Sequence, residues 1–143
     1  MSEPDWVTRR TEAARVHEER LGARQDAEHD RARALLREFT DVALAADLPA
    51  VNLTVRGYGG WGSARSRVLG WYLRHDRAAG LGTDGEFYVL IAPLAALDRV
   101  LGVTLSPTPP PLVLGAGGKD GDSIDLPDAL DRLLPGWRSA PRH

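Results

Sequence analysis

At 143 residues with 43% hydrophobic side chains and a net charge of −2, the chain is long enough for one buried core and too apolar for wholesale disorder. It contains no cysteine, which excludes disulfides, cysteine-based zinc sites and cysteine nucleophiles. No apolar run approaches the roughly 18 residues of a membrane span, and Met1–Trp6 lacks the basic-then-apolar pattern of a signal peptide, so a cytoplasmic protein without membrane association is expected.

Residues 4–47 are rich in Ala, Arg, Glu and Leu and predict a helix, with Pro4 suited to its first turn. Its character changes along its length. Leu35, Leu36, Phe39, Val42, Ala43 and Ala46 form an amphipathic face that predicts docking on a core. Upstream, Val7, Ala14 and Leu21 recur every seven residues, while Thr11, Glu18 and Gln25 between them are polar, half of a heptad pattern. Residues 1–33 are therefore expected as a polar helical arm and residues 34–143 as a single α+β domain. Val7, Ala14 and Leu21 are the candidate contacts with a protein partner, either a second copy or another chain.

Leu48-Pro49 ends the helix, because proline disfavours helical backbone in the residue before it. Val51–Arg56 alternates and predicts a strand, followed by a glycine-rich loop at 57–63. Ser66–Arg74 and Glu86–Ala92 predict two more strands. Gly80–Gly82 adds a short one before a tight turn at Asp84-Gly85, a pair suited to positive φ. Alternation places Trp71 and Leu73 on one face and Phe87, Val89 and Ile91 on one face of the next strand. Pro93–Gly102 predicts a compact helix with proline at its start and glycine at its end. A proline-rich connector at 106–111, a short strand at Leu112–Leu114, a Gly/Asp loop and a final helix from Asp125 to Leu134 complete the chain. The expected fold is α+β: a long N-terminal helix, an antiparallel sheet of three to five strands, and two short helices of the C-terminal half on one face.

Charge is uneven along this order. Residues 51–80 carry five Arg against one Asp, whereas residues 81–131 carry eight acids against Arg99 and Lys119. The segment Arg56–Arg67 mixes Arg with Gly and aromatics. Arg56, Arg65 and Arg67 could neutralise phosphates while Tyr58 and Trp61 stack on bases, which makes a nucleic-acid-binding module the alternative function. Against it stand the overall acidity and a plainer reading, in which these arginines pair with the acidic segment. A second alternative is a small-molecule enzyme, should His75, Asp76, Asp84 and Glu86 gather at one hairpin end for acid–base work.

Other motifs fail on spacing. Gly115–Gly121 lacks the leading glycine and following Ser/Thr of a phosphate loop, and Asp120, Asp122 and Asp125 lack the rest of a calcium loop. Asp125 is better placed as a helix N-cap. His17, His29, His75 and His143 form no pair with metal-ligand spacing. Neither a cofactor nor a metal is expected, and the leading expectation is a non-enzymatic, self-associating or protein-binding module.

The runs Gly70-Trp-Tyr-Leu-Arg, Gly82-Thr-Asp-Gly-Glu-Phe-Tyr-Val-Leu and Gly117-Gly-Lys-Asp-Gly-Asp-Ser-Ile-Asp-Leu resemble small actinobacterial α+β proteins without an assigned activity. The 17 Arg against a single Lys accord with such a high-GC source. The resemblance implies a source and a cytoplasmic compartment, and no chemistry.

Overall fold

A computed structural model describes residues 5–60, 62–115 and 123–139. Helix α1 runs from Asp5 to Ala45. At 1.5 Å per residue it is about 62 Å long. Its last third is buried through Ala32, Leu35, Leu36, Phe39, Val42 and Ala43, the face that the periodicity predicts except for Ala46, which lies exposed just past the helix end. Strands β1 (Val51–Arg56), β2 (Ser63–Tyr72), β3 (Ala79–Gly82) and β4 (Phe87–Val89) form an antiparallel sheet in that order. The fold is α+β, with short helices α2 (Asp98–Leu101) and α3 (Leu126–Leu133) and a two-strand pair of β5 (Val113–Leu114) and β6 (Ile124–Asp125).

The sheet curls until its outer strands approach each other. At the end of β1, the Arg56 amide donates to Leu90 O (2.9 Å) and its carbonyl accepts from Ala92 N (3.0 Å), forming a parallel bridge to Ile91. The curl is helped by a bulge where β2 gains residues against β1 between Asn52 and Thr54. Buried Ser66 fastens that bulge. Its hydroxyl donates to Leu53 O (2.6 Å) and accepts from Val68 N (3.2 Å), while Asn52 Nδ2 donates to Ser66 O (3.2 Å). Gly70 leaves no room for a side chain beside β3: a Cβ there would sit 2.1 Å from Leu81 O.

Curling buries both faces of the sheet. One face, with Trp71, Leu73, Ala79, Leu81 and Phe87, packs on α1 and α3. The other encloses Leu53, Val55, Tyr88 and Leu90, packed by Leu94, Val103 and Leu105 from the chain after β4. The expected face of Trp71 and Leu73 is buried as read. On β4, Phe87 is buried but Val89 is exposed, and Ile91, just beyond the strand, is half-buried. Tyr88 and Leu90, on the opposite face, point into the second cluster instead of solvent.

The expected helix at 93–102 is a second departure. Only Asp98–Leu101 is helical, because Leu94 is drawn into the second cluster before a helix can start. Gly102 still ends it, at φ 85. The proline-rich segment straps β4: Thr108 donates to Phe87 O (2.9 Å), while prolines 107, 109, 110 and 111 have no N–H to leave unpaired. Asp125 occupies the N-cap position of α3 with extended backbone, but its side chain makes no capping bond.

Candidate functional site

Three groups of residues stand out in the sequence, and the fold distributes them over separate parts of the molecule. The first is on α1. Val7 is half-buried and Ala14 and Leu21 are exposed. The same stripe continues through Glu28, whose Oε1 accepts from Leu112 N (3.1 Å), to buried Ala32, Leu35 and Phe39. Next to Glu28, His29 Nδ1 donates to Pro110 O (2.7 Å), which fixes the tautomer, since a carbonyl can only accept. Glu28 and His29 thus tie the helix to residues 110–112. Residues 5–27 extend about 34 Å beyond that tie. This stretch also exposes Trp6, over whose ring the Arg10 guanidinium lies at 5.3 Å.

The second group is the Arg/aromatic segment. Arg65 and Arg67 alternate on the exposed face of β2 and line an open groove of 510 Å³ between β2 and α2. The groove gains a third cation, Arg99, from α2. α2 reaches β2 through a parallel bridge between Ser66 and Val103, with Val103 N donating to Arg65 O (3.1 Å). Arg56 does not line this groove; its Nη2 donates to the Asp76 carbonyl, and its Nε is buried without a hydrogen-bond partner among the described residues. Tyr58 sits exposed in a 3₁₀ turn at Tyr58–Gly60. Trp61 lies outside the described residues, as do Lys119, Asp120, Asp122 and His143. Arg65 and Arg67 form no ion pair among the described residues, so the expected pairing with the acidic segment 81–131 is not found there.

The third group does not assemble. His75 and Asp76 lie on the β2–β3 hairpin, whereas Asp84 and Glu86 lie on the β3–β4 turn at the opposite end of β3, roughly 13 Å of strand away. Antiparallel hairpins alternate ends, so the expected cluster at one hairpin end is ruled out by topology. Both aspartates have local work. Asp76 Oδ1 accepts from Ala78 N (3.0 Å) and its Oδ2 pairs with Arg74 (3.1 Å). Asp84 Oδ1 accepts from Glu86 N (2.9 Å) and its Oδ2 from the Tyr88 hydroxyl (2.6 Å). Burial first, then the Asp84 bond and charge, push the Tyr88 phenol well above its ordinary value. His75, Asp76 and Ser123 share a 320 Å³ cleft with Arg74 and Arg132, but no hydrogen bond joins Ser123 to His75 or His75 to Asp76.

Sequence reasoning missed α2 as part of the Arg-lined surface. The helix expected at 93–102 was placed on one face of the sheet, yet Leu97, Val100 and Leu101 are exposed. No group of three or more His, Cys, Asp or Glu side chains arranged to hold a metal occurs among the described residues. No helix in the described residues is long and apolar enough to cross a membrane. Comparison with protein-family profiles, curated proteins and solved structures finds no match to this chain.

Proposed function

We propose that the protein is a non-enzymatic interaction module that self-associates through the N-terminal half of α1. The observation that carries this reading is the overhang of residues 5–27, which continues the core-facing stripe of the helix past the body that stripe packs on. Trp6 and Leu21 stand 58% and 44% exposed there, in line with half-buried Val7. A polar helix of this length gains little from propensity alone, and its anchored C-terminal third supplies the nucleus that keeps it helical. Acids and arginines are evenly mixed along it, with Arg9, Arg10 and Arg15 among Glu12, Glu18 and Glu19. Two such surfaces can meet without net repulsion. A second copy would give Val7, Ala14 and Leu21 the apolar partner that the body gives Phe39.

Sedimentation equilibrium tests this on the full chain. The wild type should sediment above the 15.5 kDa of one chain. A Val7→Glu/Ala14→Glu/Leu21→Glu variant should return to that mass with unchanged helix content, since these side chains hold nothing in the body. A wild type that stays at the single-chain mass up to about 100 μM, weaker than interfaces of ordinary size, defeats the reading.

A further inference from the structure

α2 turns its apolar side chains outward. Leu97, Val100 and Leu101 are 64%, 80% and 72% exposed, and no residue of the helix is buried. Val100 and Leu101 border the same open groove as Arg65, Arg67 and Arg99, and no carboxylate lines it among the described residues. Arg65 and Arg67, two apart on the exposed face of a strand, point the same way. The Arg99 guanidinium rests on Gly62, where even a methyl group would collide with it. The result is an exposed apolar patch beside a cationic groove. Clustered large apolar side chains held in water mark a surface that something else covers.

We propose that this face docks on an anionic lipid bilayer, with Leu97, Val100 and Leu101 entering the headgroup–acyl boundary and Arg65 and Arg67 meeting headgroup phosphates. The contact is peripheral and needs no spanning segment. The charge favours an anionic surface, because Arg65 and Arg67 line the groove beside these apolar side chains and no carboxylate lines it among the described residues. The chemistry favours lipid over nucleic acid. The patch would set three aliphatic side chains against a sugar–phosphate backbone, and no aromatic ring lines the groove among the described residues to stack on a base.

Vesicle co-sedimentation of the full chain tests the proposal, using phosphatidylcholine alone and phosphatidylcholine with roughly one third phosphatidylglycerol, the charge that draws basic surfaces. The protein should pellet with the anionic vesicles, stay in solution with the neutral ones, and be released at about 0.5 M salt, where screening is strong. Arg65→Gln/Arg67→Gln should weaken partitioning about 25-fold, roughly fivefold per arginine. Val100→Asp/Leu101→Asp should abolish it, and because all four side chains are exposed, both variants should keep the wild-type circular dichroism and Tm. Failure of the wild type to pellet with anionic vesicles at low salt overturns the proposal. Pelleting that survives Val100→Asp/Leu101→Asp also overturns it. So does binding of a labelled single-stranded RNA that depends on Arg65 and Arg67 and is indifferent to Val100→Asp/Leu101→Asp, which would give the groove to nucleic acid.

Discussion

Tyr88 places a hydroxyl at the edge of an otherwise apolar cluster and satisfies it with a single carboxylate, Asp84. Burial and that carboxylate both favour the neutral phenol, so its folded-state pKa lies above the unfolded one. A group of this kind contributes stability that is fully present below the unfolded value, about pH 10, and is lost as pH rises through the folded value. The protein should therefore weaken toward urea above about pH 10, and Tyr88→Phe should flatten that decline while costing about 1 kcal/mol at neutral pH. Tyrosinate absorbance gives an independent check. In alkaline titration the last of the three tyrosines to ionise in the wild type should be missing from Tyr88→Phe. A stability profile with the same alkaline slope in both proteins would show that the Tyr88–Asp84 bond is not what the slope reports.

Among the elements, the end of α1 carries a residue in an unfavourable conformation. Asp47 has φ 53, Leu48 N donates to Ala43 O (2.9 Å) and Asp47 N to Leu44 O (3.2 Å), the paired bonds that close a helix through a left-handed residue. Glycine suits that position better than aspartate, so Asp47→Gly should raise stability by about 0.5 kcal/mol, read as a shift in urea midpoint without a change in slope. A loss instead would mean that the aspartate side chain holds the turn. This terminus was legible in the sequence from Leu48-Pro49, and β1 from its clean alternation, because both signals are local. The helix expected at 93–102 was misread because what decides it is not local: burial of Leu94, Val103 and Leu105 against β1 and β4 overrides a favourable helical composition. β6 escaped notice because two residues carry no period. The candidate surfaces divide the same way. The stripe of Val7, Ala14 and Leu21 and the alternation of Arg65 with Arg67 are visible in spacing. That Arg99, Val100 and Leu101 join those arginines depends on the bridge from Ser66 to Val103, which no spacing encodes.

Across the whole molecule, α1, the sheet and the C-terminal turn meet at one aromatic junction. Phe39, fully buried, stands edge-on to Trp71 at 6.0 Å and to Trp137 at 5.4 Å. Trp71 Nε1 in turn donates to Leu48 O (3.3 Å), linking the sheet to the exit of α1. Trp137 lies in the 3₁₀ turn Trp137–Ser139, beyond the Pro135-Gly136 pair that marks the end of α3 in the sequence, yet it is as buried as the central strands. The C-terminal segment thus closes the core over α1, and removing its one large side chain should act on the global transition. Trp137→Ala should cost about 3–5 kcal/mol, the usual range for emptying a buried aromatic site, part of it the edge-on contact with Phe39. Against a total stability of about 5–15 kcal/mol, that is a large fraction. Trp6→Ala, at an exposed site on the arm, serves as the control and should fall within about 0.5 kcal/mol of wild type. Urea titrations followed by far-UV circular dichroism compare the two, since that signal comes from α1 and the sheet and not from the substituted ring. If Trp137→Ala costs less than about 1 kcal/mol, the turn is only laid against a core already complete without it, and α1 is held by the sheet, α3 and the tie at residues 110–112.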